Sequence, residues 1–343
     1  MGLQTQFSGF DGKIRITRED ERMKTVREKD DSIRDQVKDG LKEAGYSVAE
    51  FFQQGSYAIQ TSIEPLNGDY DIDVGVVLDA ENCPDDPVDA KKILRDLLIA
   101  RNLKDPKIKM PCVTAQYIRE GEKHFHIDYA VFKRNGGQYF LGVGKEHSAS
   151  DKKKWEDADP KGLINWINDK SGFSTDSAFQ QYKRVIRYLK RWRDFTFTEA
   201  NRKKIYSVGL NVMIRHCIAT SISWDGDAND LDALLTTVSR ILDRGYFGAV
   251  YTNNSLAYVV RVDLPVKPYS DVFQKHGTSV GTEFQDKLTS LKDLLGRVKA
   301  ESSVKRQSEM LAKDAFGPDF PIPEDDGNRK FKESGYVSSS QGA

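Results

Sequence analysis

A chain of 343 residues is long for one ordinary domain and short for three, so two lobes sharing an extended core with a cleft between them are expected. Lys+Arg and Asp+Glu stand at 52 each, which excludes a global field drawing the molecule onto nucleic acid or an anionic membrane and requires any basic site to be local. Hydrophobic residues at 38% and charged residues at 30% suit a buried core under a heavily solvated surface.

Cys83, Cys112 and Cys217 are far apart and without CxxC spacing, which argues against a disulfide framework and a cysteine zinc site, and predicts a reducing, cytoplasmic setting. MGLQTQFSGF has no apolar signal core, no run approaches the length of a bilayer span, and Gln6 does not fit a myristoylation signal, so no membrane association is expected.

The first long element runs from about Thr17 to Glu43, where Met23, Val26, Ile33, Val37 and Leu41 recur at helical spacing in a charged background. VAEFF follows as a strand ending at Gln54, then a Gly-Ser turn and a short helix. The NGD turn at Asn67 to Asp69 leads into YDIDVGVVLD. Its alternation puts Ile72, Val74, Val76 and Leu78 on one face and Asp71, Asp73, Gly75 and Val77 on the other. Residues 87–101 read as a helix. KIKMPCVTAQYIREGEKHFHIDYAVFK reads as two strands joined at Glu120-Gly121, and QYFLGVGK as a further strand. From Pro160 the pattern turns helical, near 160–170, 176–194, 205–221 and 227–243, with a hairpin around Asn253-Asn254 and a last helix over Glu283 to Asp314. Beyond Phe316 the composition, rich in Pro, Asp, Gly and Ser, predicts a mobile tail.

The chemistry concentrates in Gly55-Ser56, Asp71-Ile72-Asp73 and Asp128 in FHIDYAVF. Carboxylates at i and i+2 of a strand point to the same side, so Asp71 and Asp73 can share magnesium ions that also hold a triphosphate, and Asp128 completes the set from a neighbouring strand, opposite Ile127, Tyr129 and Val131. Three ionised carboxylates side by side need a cation. A Gly-Ser turn at a helix start lets backbone N–H groups approach phosphate oxygens while Ser56 donates another bond. Read singly, Gly55-Ser56 is a tight turn and DYDID an acidic one. The ordered set of strand, GS, helix, DhD strand and second Asp strand points to a site that holds a triphosphate through metal ions.

GSYAIQTSIEPLNGDYDIDVGVVLD together with HIDYAV resembles the polymerase-beta-type nucleotidyltransferases. More narrowly, with the N-terminal segment and FGPDFPIP, the chain resembles the bacterial cyclic oligonucleotide synthases (CD-NTases), relatives of animal cyclic GMP-AMP synthase and of oligoadenylate synthase. The resemblance implies an α+β fold, a palm with a mixed sheet packed against a helical second lobe. Its expected parts are a nucleotidyltransferase core over 1–150 with the long N-terminal helix, a mainly helical lobe over 151–318 completing the nucleotide cleft, and a flexible tail over 319–343. It also implies two magnesium ions per site, with manganese as an alternative, at Asp71, Asp73 and Asp128. ATP and other ribonucleoside triphosphates would be the substrates. The product would be a cyclic di- or trinucleotide used in antiphage (CBASS) signalling, sensed by a separate effector, with operon-encoded regulatory or conjugating proteins as further partners and the C-terminal Gln341-Gly342-Ala343 as a possible point of conjugation. Without an insertion carrying a His/Cys zinc cluster, activation by duplex DNA is not implied.

In QYKRVIRYLKRWRDF, Tyr182, Val185, Ile186, Leu189 and Trp192 form a packed face, and Lys183, Arg184, Arg187 and Arg191 read as a solvated one. Lys190 falls at the boundary, where packing can hold a cation within reach of a triphosphate. The resemblance implies that role for Lys190, and a phosphate-binding role for Ser207 at the next helix start. His124 and His126 read as strand residues, since magnesium prefers oxygen donors. Tyr57, Tyr206 and Tyr269 are candidate planes for a nucleobase. Two other readings accompany this one: a transferase of the same superfamily that makes linear oligoadenylate or modifies RNA or protein, and an inactive nucleotide-binding module.

Overall fold

The computed structural model describes residues 2–17, 19–66, 70–100, 103–119, 122–252 and 254–324. The turns expected at Asn67 to Asp69 and Glu120-Gly121, residue Asn253 of the hairpin turn, and Gln341-Gly342-Ala343 lie outside them.

Two helices open the chain, α1 (Leu3–Ile14) and α2 (Glu21–Glu43), followed by β1 (Val48–Gln53), the one-turn α3 (Gly55–Ala58), β2 (Tyr70–Asp79) and α4 (Pro87–Ala100). The strands β3 (Lys104–Ile108), β4 (Val113–Arg119), β5 (Glu122–Asn135), β6 (Gln138–Val143) and β7 (Lys154–Ala158) complete a mixed seven-stranded sheet. Its main path runs β1-β2-β5-β4-β3, with β6 joining the far half of the long β5 and β7 joining β6. The β2–β5 pair is parallel and the others are antiparallel.

On one face of the sheet, Ile72, Val74, Val76, Leu78, Ile127, Tyr129 and Val131 are buried against Met23, Val26, Ile33, Val37 and Leu41 of α2 and Ala90, Leu94 and Leu98 of α4. The alternation read in β2 and β5 is therefore the one the fold uses, except that Val77 on the second face is buried too.

The second lobe comprises α5 (Pro160–Asn168), α6 (Asp176–Thr196), the one-turn α7 (Glu199–Arg202), α8 (Ser207–Cys217), α9 (Asp230–Asp243), the hairpin β8 (Phe247–Thr252) and β9 (Ser255–Val260), α10 (Thr278–Ala300) and α11 (Val304–Leu311). Its core is separate from that of the sheet. The chain is thus an α+β protein with a mixed sheet beside a helical lobe. Among the described residues, no helix is long and apolar enough to cross a membrane.

Four readings change. The segment before Thr17 forms α1, whose Phe7, Phe10 and Ile14 are buried in the helical lobe's core although they stand at the other end of the sequence. The long helix begins at Glu21, after a turn that includes Thr17 and Asp20. The single last helix is two, because Glu301 accepts from the Ser303 N–H and Ser303 caps the Arg306 N–H, breaking the ladder between α10 and α11. Residues 319 and 320, expected in the tail, are packed: Phe320 is buried on Phe7, Phe10 and Phe316, and Asp319 is paired with Arg191 at 2.5 Å. A polar, proline-rich stretch is held by one aromatic side chain and one ion pair, which composition averages away.

Candidate active site

Asp73 and Asp128 are register partners on the adjacent parallel strands β2 and β5, so their side chains leave the same face of the sheet, opposite its packed core. Asp71 lies two residues earlier on β2, level with His126. Its side chain and that of His124 are outside the described residues.

The turn at Gly55-Ser56 is bound to this strand. The Gln54 N–H donates to the Asp73 carbonyl at 2.8 Å, and Gly55 adopts φ +59°, a backbone that favours glycine. A Cβ on Gly55 would stand 1.8 Å from Asp73 Oδ2, so the missing side chain is the space the carboxylate occupies. Ser56 Oγ is 3.1 Å from Ser62 Oγ, and the Thr61 N–H donates to the Ser56 carbonyl.

Across the cleft, α6 grips the segment after this turn. Lys183 donates to the carbonyl of Ile59 at 3.0 Å, Arg187 to Gln60 at 3.2 Å, Lys190 to Thr61 at 3.0 Å and Arg191 to Glu64 at 2.7 Å. These four cations are at most 3% exposed, which overturns the reading of Lys183, Arg187 and Arg191 as a solvated face. Each of the four reaches a backbone carbonyl more than a hundred residues away, and side chains complete the set: Asn168 for Lys183, Thr61 for Lys190, Asp319 for Arg191, and Asp11, which holds Arg187 at 2.6 and 2.9 Å. Arg184 is likewise paired, with the buried Asp230. Burial is the main reason that Lys190 and Lys183 titrate at about 7; for Lys190 the Arg193 guanidinium adds to the effect.

A cavity of about 450 Å³ brings together Gly55, Ser56, Asp73, Asp128, Lys190 and Ser207, with an apolar wall that includes Ile164 and Ile167 of α5. Ser207 opens α8, and its Oγ accepts from Arg193 Nη1 at 2.8 Å. The start of α8 and the Arg193 guanidinium thus stand where this cavity meets its neighbour. Cys112 also lines the cavity; burial, with Asp128 second, pushes its thiol up to about 12, so it stays protonated.

Through Ser207 the cavity adjoins a larger one of about 610 Å³ whose wall includes Lys107, Lys109, His126, Arg193, Arg202 and Tyr206. Asp105, Asp194 and Glu199 line it as well, so the vestibule is mixed in charge with cations in the majority. Of the three tyrosines considered as base platforms, only Tyr206 lines either cavity, stacked on Phe273 at 5.8 Å; Tyr57 is buried in the sheet's core, and Tyr269 is exposed and lines neither.

Three residues of the site carried no sequence signal. Lys109 donates to both Asp128 oxygens, at 3.3 and 3.4 Å. Arg193 sits beside the chosen Lys190 in a run of cations, indistinguishable from its neighbours by type. Asn211, one turn into α8, lines the cavity of Asp73 and Asp128 at 5% exposure, and its Oδ1 has no partner among the described residues.

Residues 49–132, the span of β1 to β5, match the family described as the cyclic GMP-AMP synthase DncV-like nucleotidyltransferase domain. A cyclic GMP-AMP synthase of Escherichia albertii is 32% identical over 178 residues, 51% of this chain and 38% of that protein. The chain therefore spans about two fifths of that relative's length in the match. Among solved structures, Vibrio cholerae DncV cyclic AMP-GMP synthase is similar at a TM-score of 0.67 and 16% identity, covering 93% of this chain and 97% of its own. The Bradyrhizobium diazoefficiens CD-NTase CdnG, in complex with GTP, gives a TM-score of 0.67 at 14% identity, covering 92% and 95%. At these identities the structural likeness speaks for the fold.

Proposed function

We propose that the chain, whose residues 49–132 match the DncV-like nucleotidyltransferase domain, is a CD-NTase that condenses ribonucleoside triphosphates, ATP among them, into a cyclic di- or trinucleotide signal. The observation that carries this reading is the level pairing of Asp73 and Asp128 in one cavity with Gly55, Ser56, Lys190 and Ser207.

The carboxylates fit divalent ions: they are hard oxygen donors side by side, and Asp128 already holds a cation, the Lys109 ammonium. Asp73 and Asp128, with Asp71 from the same strand as Asp73, would hold two magnesium ions. When bound, these lower the pKa of the attacking ribose hydroxyl and offset charge on the triphosphate. Asp128 takes the hydroxyl proton. The hydroxyl oxygen bonds to the α-phosphorus, the α–β phosphoanhydride bond breaks, and pyrophosphate leaves.

Ser56 and the N–H groups of its turn, Lys190, and Ser207 with the start of α8 position the phosphates. Gly55 keeps the turn against Asp73. Arg193 holds the Ser207 hydroxyl in place, and α6 fixes the whole Ile59 to Glu64 segment relative to the helical lobe, so that both halves of the phosphate site keep one geometry. A second turnover on the linear product closes the ring, and a separate effector reads it in antiphage signalling.

The test is incubation of the purified protein with the four ribonucleoside triphosphates and magnesium, beside Asp73→Asn and Asp128→Asn, followed by mass spectrometry of phosphatase-resistant products. A cyclic product absent from both variants is expected. Linear products alone would move the assignment to an oligonucleotide polymerase, and turnover surviving in both variants would end the carboxylate mechanism.

A further inference from the structure

Lys109 stands between the two cavities. Its side chain lines the vestibule, while the carboxylate it contacts lines the catalytic cavity. We propose that Lys109 is a tethered counter-cation: it neutralises Asp128 until divalent metal is loaded, is then displaced, and swings into the vestibule, where with Lys107 it forms a subsite for the 5′-triphosphate of the attacking nucleotide. This rests on the carboxylate reading above.

The construction supports a moving arm on a fixed hinge. The Lys109 N–H donates to the Cys112 carbonyl at 2.8 Å, and the buried ammonium of Lys91 holds the carbonyls of Met110 at 2.7 Å, Gly144 at 3.2 Å and Lys109 itself at 3.4 Å. The backbone is therefore bolted to α4, whereas the Lys109 side chain is 46% exposed and its contacts with Asp128 are long for charge-assisted bonds. A carboxylate cannot keep this ammonium at both oxygens and give those oxygens to a metal ion.

The sheet places the destination. Asp73, Asp128, Thr114 and Lys107 are register partners across β2, β5, β4 and β3, so they share one face in one row. Lys107 stands two strands from Asp128, roughly 10 Å away at ordinary strand spacing, beyond the carboxylate's reach but on the path leading away from the attacking hydroxyl. An acceptor whose hydroxyl lies at Asp128 has its own phosphates on the side where the vestibule opens.

The test has a binding arm and a product arm. Mn²⁺ binding is followed by the electron paramagnetic resonance of the free ion for the wild type, Lys109→Met, Lys107→Met and Asp128→Asn. Loss of the competing ammonium is expected to tighten Mn²⁺ about two- to fivefold in Lys109→Met, the scale of a partly exposed ion pair. Lys107→Met should bind as the wild type does and Asp128→Asn much more weakly. In the product arm, ATP and adenosine compete as acceptors in one mixture. The ratio of triphosphate-ended to hydroxyl-ended dinucleotide is expected to fall several-fold in both lysine variants. Unchanged or weaker Mn²⁺ binding in Lys109→Met overturns the displacement, and an unchanged acceptor ratio overturns the phosphate subsite. Wild-type protein that binds no Mn²⁺, or Asp128→Asn that binds it normally, removes the carboxylate reading itself and the inference with it.

Discussion

Replacing Gly55 by alanine asks the phosphate turn and the catalytic carboxylate to occupy the same space. The new Cβ falls 1.8 Å from Asp73 Oδ2 and 2.7 Å from its Cγ, against a closest observed approach of 3.0 Å, so the carboxylate must retreat by about 1.2 Å. The obstructing atoms are the end of a side chain, so the relief is rotation of Asp73 and not unfolding. A left-handed residue with a Cβ adds strain of about 1–2 kcal/mol. A misplacement near 1 Å costs roughly 100-fold in rate. We expect Gly55→Ala to lose about two orders of magnitude in pyrophosphate release while its urea midpoint falls only by the backbone strain. Gly45→Ala is the matched control: its φ of +89° carries comparable strain, but nothing lies within 4 Å of its Cβ, so stability should fall with activity intact. Equal activity of Gly55→Ala and Gly45→Ala would refute the argument that this glycine exists to seat Asp73.

Arg187→Met strands the Asp11 carboxylate in the interior, where the pair is 3% and 11% exposed, and should cost about 3–5 kcal/mol by urea denaturation, with Asp11→Asn/Arg187→Met recovering part of it; a loss below about 1 kcal/mol would contradict the latch role of α6. Lys183 and Lys190 release their protons at about 7 and Lys91 at about 8, against 10.5 in the unfolded chain, each chiefly because of burial. Between those values the unfolded chain holds more protons, so stability should rise with pH from about 7 towards 10 and show no such gradient below 7; Lys183→Met should flatten the rise seen in melting temperature, and an unaltered slope would count against it. Burial pushes the thiols of Cys83 and Cys112 to about 12 and raises Cys217, so iodoacetamide at pH 8 should label the urea-unfolded chain and leave the native one unlabelled; stoichiometric labelling of native protein would show these thiols to be accessible thiolates.

The local part of the site was legible because strand alternation and turn chemistry act over a few residues. Gly55-Ser56 opening a one-turn helix, Asp73 on the face opposite Ile72 and Val74, and Asp128 opposite Ile127 and Tyr129 all follow from a period of two and the preferences of glycine. Of the second lobe's helices, α5, α6, α8 and α9 were readable to within a few residues, whereas α10 and α11 read as one helix and the one-turn α7 gave no signal.

What only the tertiary structure decided was which charges are buried and what neutralises them. Lys183, Arg187 and Arg191 have the same side chains as solvated cations, and their burial depends on carbonyls of Ile59, Gln60 and Glu64 that the sequence presents as featureless backbone. α1 joins the helical core through Phe7 and Phe10, Phe320 closes on them from the other end of the fold, and Lys109 reaches Asp128 because β4 pairs with β5. Periodicity reports which face of an element is apolar. It carries no information on which distant element will cover that face, since that is settled by the packing of whole lobes, and in this chain the packing sets the cavity, the vestibule and the charge between them.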